Sequence, residues 1–156
     1  MEATEEGRGL IMREGELYQR VYIASALANQ DIVCEVLGKV RAAGHAVTYD
    51  WTEHGSLEGA EPKRCYAVAQ AELAGVATAT ALVLVLPGGR GAHVELGAAL
   101  GLGTSVLIVG TEDGAKQGFA YPCLFHTLCQ SITLPELTSD EVWRAVQPWL
   151  ARLSGR

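Results

Sequence analysis

Residues 81–100 read ALVLVLPGGRGAHVELGAAL, and SVLIVG follows at 105–110. The run ALVLVL is strand-sized and uniformly apolar, without the alternation of a half-solvated strand, so it predicts burial on both faces as in a parallel sheet. Pro87, Gly88 and Gly89 break it, and Ala92 to Leu102 reads as a short small-residue helix. A strand, a glycine turn, a helix and a second apolar strand make a parallel unit with a right-handed crossover.

The pattern extends in both directions. RVYIASAL (20–27) reads as a buried strand. Between Asn29 and Ala43, Ile32, Val33, Val36, Leu37 and Val40 recur at helical spacing, with Asn29 or Asp31 as the cap and Gly44 as the stop. AVTYDW (46–51) reads as the second strand, EHGSLEGAEPK as a polar loop and Pro62 to Ala77 as a helix. Thr111 to Tyr121 reads as a loop, Ile132 to Leu134 as a weak fifth strand, and Ser139 to Leu153 as the last helix, capped by Ser139 and Asp140. Residues 1–19 lack periodicity and read as a loose tail before a single domain, 20–156. The expected fold is α/β, a doubly wound parallel sheet of five strands in flavodoxin-like order 2-1-3-4-5. Ligands then sit beyond the carboxyl ends of strands one and three, where the order reverses. That makes the loops after VYIAS and VLVLP the ones that matter.

Composition narrows the ligand. The 156 residues are 49% hydrophobic with a net charge of −6, which fits one core and argues against a nucleic-acid polymer as partner. No apolar run reaches the length of a membrane span, and the first stretch, MEATEEGRGLIMREGE, is not a signal peptide. The expected setting is cytoplasmic, with Cys34, Cys65, Cys123 and Cys129 reduced. Cys123 and Cys129 bracket His126, a spacing that matches no common zinc pattern, so no metal and no other cofactor is expected. Trp143 and Trp149 read as packing or interface residues of the last helix.

The glycine turn carries the chemistry. A dinucleotide fingerprint fails because Val94 occupies the third glycine position, and no Walker loop follows. What remains is Glu95 near the start of a helix, just past the most buried strand. A glutamate there complements the helix dipole. In a partly dry pocket, kept ionised by that dipole and by glycine-loop amides, it is also a suitable nucleophile.

VYIAS together with ALVLVLPGGRGAHVELGAALGLGTSVLIVG resembles the nucleoside 2-deoxyribosyltransferase family and its deoxynucleoside 5'-monophosphate N-glycosidase relatives. The resemblance runs from Val21 to Leu134 and is sharpest in the G-x-x-x-E-L-G core around Gly91 and Glu95. It implies that Glu95 attacks the anomeric carbon of the sugar and holds it as a covalent ester, with Tyr22 orienting the carboxylate. It further implies that the loop from Ser25 to Gln30, including Asn29, lies beside sugar or phosphate. Members usually carry an aspartate in the second helix to assist the leaving base. Here that neighbourhood reads AQAELAG, and its only carboxylate is Glu72, with Asp50 at the end of strand two as the alternative acid. The implied partner is a small nucleoside or nucleotide, and the implied assembly is a homodimer or higher homo-oligomer.

Gly89, Arg90, Gly91 and His93 complete the expected binding set: glycines for close backbone approach, Arg90 for a phosphate, His93 for the pocket wall. Trp51, His54 and Tyr66 flank the expected mouth. The same stretch also resembles the P-G-G-x-G-T-x-x-E signature of the lonely-guy phosphoribohydrolases, with Ala92 where threonine is usual. Both resemblances imply N-glycosidic cleavage. A nucleotide-binding module without turnover is the alternative of a different class.

Overall fold

The computed structural model describes residues 18–116 and 123–155. Five parallel strands lie in the order β2-β1-β3-β4-β5, the expected arrangement. They are β1 (Arg20–Ser25), β2 (Ala46–Val47), β3 (Ala81–Val85), β4 (Ser105–Gly110) and β5 (Gln130–Thr133). The helices are α1 (Gln30–Ala42), α2 (Pro62–Thr78), α3 (Arg90–Gly101), α4 (Glu112–Lys116) and α5 (Ser139–Ser154). α1 packs beside α5 and α2 beside α3, so both faces of the sheet are covered.

The apolar run decides the centre of the molecule. Every residue of β3 is 0% exposed, and β3 pairs with β1 from Val21↔Ala81 to Ser25↔Val85 and with β4 from Ala81↔Ser105 to Val85↔Val109. Each fully buried leucine or valine there stabilises the fold by roughly 1.5–3 kcal/mol through removal of apolar surface from water.

Several boundaries differ from expectation for identifiable reasons. Strand two is only Ala46–Val47, because the Asp50 side chain accepts from Thr52 N and turns the chain into a 3-10 turn at Trp51–Glu53. The segment around Leu27–Asn29 is also a 3-10 turn. Asn29 occupies the N-cap position of α1, one of the two expected, but makes no side-chain cap hydrogen bond: its amide donates to Ser25 Oγ and Pro87 O instead. Thr138, not Ser139 or Asp140, caps α5 by accepting from Glu141 N. The expected loop from 111 contains α4, and residues 117–122 of it lie outside the described residues. The expected tail lies outside them up to residue 17. Gln19 is not loose, since its backbone N–H donates to His45 Nδ1 and its side chain bonds Ser154 and Thr80.

The approach of α2 to β1 depends on a missing side chain. A Cβ on Gly75 would lie 2.7 Å from Tyr49 Cβ and 3.1 Å from Tyr22 Cε2. No rotamer change relieves a clash with a Cβ, so Gly75→Ala must push α2 away from the sheet. Overpacking of this kind costs about 1–3 kcal/mol, against a gain of about 1 kcal/mol in helix propensity. The expected result is a lowered midpoint in urea or heat denaturation, and a variant as stable as the parent would show that α2 is free to shift.

Candidate active site

The site is built on the core face of α3. Ala92, Glu95, Leu96 and Ala99 are the buried positions of this helix, at i, i+3, i+4 and i+7. Three are apolar and one is a carboxylate. Glu95 is 7% exposed and faces β1, where the Tyr22 hydroxyl donates to its Oε1 at 2.9 Å. Tyr22 itself is 0% exposed. Its hydroxyl is held protonated, since burial and then the neighbouring Glu95 push its pKa upward.

Glu95 lies near the start of its helix as expected, but differs from expectation in its charge. Because α3 begins at Arg90, Glu95 falls in the second turn, beyond the strong part of the helix dipole. Burial dominates instead and pushes its pKa from 4.5 to about 7, with the Tyr22 hydrogen bond opposing and Glu72 adding to the rise. It is a carboxylate poised between its two forms at neutral pH, not one locked in the ionised form.

Above Glu95 opens a cleft of about 270 Å³, near the lower end of small-molecule sites. Its walls include Ser25 from the end of β1, Gly89 and Gly91 from the start of α3, Trp51 and His54 from the β2–α2 connection, and Glu72 from α2. Glu95 and Glu72 thus share one cleft, at the switch point between β1 and β3. Trp51 is fixed by donating its indole N–H to Ile23 O at 2.7 Å.

The remaining expected residues are distributed differently. Asn29 stands behind Ser25, donating to its hydroxyl and to Pro87 O. Asp50 is not among the cleft-lining residues: Arg41 donates to its Oδ2 at 2.8 Å and Thr52 to its Oδ1, so it serves the loop. Arg90 is exposed, and neither it nor His93 lines the cleft. His93 turns instead toward His126. Gly89 at the N-cap has no side chain to cap α3, and among the described residues no side-chain acceptor reaches its first backbone N–H groups at the cleft edge.

His54 gains a definite position. Its Nδ1 lies 2.9 Å from Gly55 O, and since a carbonyl only accepts, Nδ1 carries the hydrogen. Its buried Nε2 lies 3.5 Å from Glu72 Oε1, an ion-pair separation rather than a hydrogen bond. Sequence spacing could not join a histidine of the polar loop to a glutamate in the middle of α2.

No family model and no curated protein matches the chain. Among solved structures, the fold is similar to that of the CMP N-glycosidase BcmB of Clostridium botulinum, with a TM-score of 0.56 and 17% identity over 83% of this chain and 98% of that one. At that identity the likeness is one of fold. No helix among the described residues is long and apolar enough to cross a membrane.

A buried carboxylate with a raised pKa makes a stability prediction. Above pH 4.5 the unfolded chain has Glu95 ionised while the native state still holds the proton up to about 7, so native stability falls as pH rises through this window. Glu95→Gln keeps an acceptor for Tyr22 and removes the ionisation. At pH 8 it should be more stable than the parent by about 1–3 kcal/mol, and the difference should shrink toward pH 4.5. Paired denaturation curves across this range check it; a pH-independent difference would contradict the burial argument.

Proposed function

We propose that this chain cleaves or transfers at the N-glycosidic bond of a nucleoside or nucleotide through a covalent glycosyl-Glu95 intermediate. The observation that carries the reading is the Tyr22-held Glu95 carboxylate on an apolar helix face, in one cleft with the Glu72–His54 pair. The likeness in fold to a CMP N-glycosidase supports it.

In the first step a Glu95 oxygen bonds to the anomeric carbon as the carbon–nitrogen bond breaks, and its electron pair leaves with the base. The transition state is oxocarbenium-like, so the carboxylate both stabilises charge and captures the sugar. The departing base takes a proton from the Glu72 carboxyl on the cleft wall, and the Glu72 carboxylate takes one back from the incoming water or nucleobase in the second step. In the second step water attacks the glycosyl ester for hydrolysis, or a nucleobase nitrogen attacks it for transfer. Either route regenerates the Glu95 carboxylate and retains configuration. Gly89 and Gly91 admit the sugar against the backbone, and Ser25 and the uncapped α3 amides face its 5' side. Arg90, exposed between the cleft-lining Gly89 and Gly91, is the cation for a 5'-phosphate. No organic cofactor enters these steps.

The test is incubation with deoxynucleosides, deoxynucleoside monophosphates, CMP and other ribonucleoside monophosphates, each with and without a free base, followed by chromatography. Release or exchange of base is expected, with loss of at least about 1,000-fold in Glu95→Ala. Cleavage confined to ribonucleoside monophosphates without exchange would favour the lonely-guy-like reaction. Binding without turnover would favour the non-catalytic module. Because Glu95 must be ionised to attack, kcat/KM should rise with pH to half its plateau near 7. Tyr22→Phe removes the bond that lowers the Glu95 pKa, so this limb should move to higher pH as well as lose height.

The assembly proposed is a homo-oligomer through α3. Val94 and Leu102 are exposed on this helix, and a Cβ on Gly97 or Gly101 would meet nothing within 4 Å. Light scattering should give at least a dimer, shifted toward monomer by Val94→Glu; a monomeric parent overturns this.

A further inference from the structure

Beside the cleft but not lining it, three side chains from two separate segments converge. His93 comes from the first turn of α3, Cys123 from the residue that precedes a 3-10 turn at Leu124–Leu128, and His126 from within that turn. One nitrogen from each histidine and the Cys123 sulfur all lie within 4.8 Å of one another. The two Nε2 atoms are 3.0 Å apart, and the rings are nearly parallel, with centroids 5.2 Å apart and planes at 20°.

The tautomer of His93 follows from its other nitrogen. Nδ1 lies 2.9 Å from Gly89 O, and a carbonyl only accepts, so Nδ1 carries the hydrogen. Nε2 of the neutral ring therefore presents a lone pair toward His126. A ligand histidine held from behind by a backbone carbonyl is the usual arrangement at metal sites. All three residues are partly buried, so the place is sheltered yet open to an ion.

We propose that His93 Nε2, His126 Nε2 and Cys123 Sγ form a binding site for a borderline-soft divalent cation, zinc above all. Thiolate with imidazole is the donor set such ions prefer over magnesium or calcium. Bonds of about 2.0–2.1 Å to nitrogen and about 2.3 Å to sulfur need ligand atoms roughly 3.3–3.7 Å apart. The histidine pair is already near that spacing, and since the thiol lies within 4.8 Å of both nitrogens, closure moves it by at most about 1.5 Å. Binding forms three coordinate bonds and releases the Cys123 thiol proton to solvent, with no change of oxidation state. The fourth position stays open to water. Cys129, the other thiol of the sequence bracket, lies with its sulfur 3.7 Å from Phe125 O and serves its own turn. The ion fastens the Leu124–Leu128 turn to the first turn of α3, the helix that carries Glu95.

The test uses the full chain, stripped by chelator and titrated with cobalt(II) under reducing conditions. One equivalent should bind, with a thiolate-to-cobalt charge-transfer band and tetrahedral visible bands, both displaced by zinc. Cys123→Ser should abolish the charge-transfer band, and His126→Ala should weaken binding by at least about 100-fold. Cys65→Ser should leave both unchanged. As a check independent of these variants, the Tm of the unsubstituted protein should rise with free zinc concentration. Failure of the parent to bind one equivalent, or binding that persists in the Cys123→Ser, His126→Ala double variant, overturns the site. The histidines would then form only a hydrogen-bonded pair.

Discussion

The hydrogen bond from Tyr22 to Glu95 ties the central sheet to α3 and holds the one carboxylate on that helix's buried face in place. It is buried and made between side chains from distant parts of the chain. Almost everything around it serves to keep it so: β3 fills both faces of the sheet, Gly75 lets α2 close over Tyr22, and Leu96 and Ala99 continue the apolar stripe below Glu95. A carboxylate in that stripe weakens the fold when ionised. The proposed function gives that departure from an apolar core position a reason, since the reaction needs an oxygen there.

The fold was legible in the sequence because its signals were strong and local. Uniformly apolar runs marked β1, β3 and β4, and their alternation with helical spacing predicted a parallel sheet, whose observed order is the default 2-1-3-4-5 for such a pattern. The failures came where a side chain competed with the backbone. Asp50 accepting from Thr52 shortened strand two, and Asn29 turning to Pro87 left α1 uncapped. Propensity does not register such choices, because they depend on what stands opposite in the folded chain.

The candidate site was legible in its identities more than in its electrostatics. Glu95, Tyr22, Glu72, Ser25, Gly89 and Gly91 come together around one cleft. The charge state of Glu95 did not follow from its place in the sequence, since the depth of burial, not distance from the helix start, controls it. His54 and His126 find their partners across gaps in the chain that no motif spans. Arg90 and His93 are not among the residues that line the cleft, although the glycine motif contains both.

One carbonyl has a wider role than its size implies. Pro87 O accepts from both Ala26 N and Asn29 Nδ2, so the turn after β1 and the turn after β3 share a single anchor at the point where strand order reverses. The two turns that frame the cleft are therefore one mechanical unit. A change in the length of either must preserve that shared acceptor or release both together. Under the proposed function, variation in substrate preference on this scaffold is thereby directed to the third wall, the longer connection carrying His54, Gly55 and Leu57, while Trp51 within it stays tied to the core through Ile23 O.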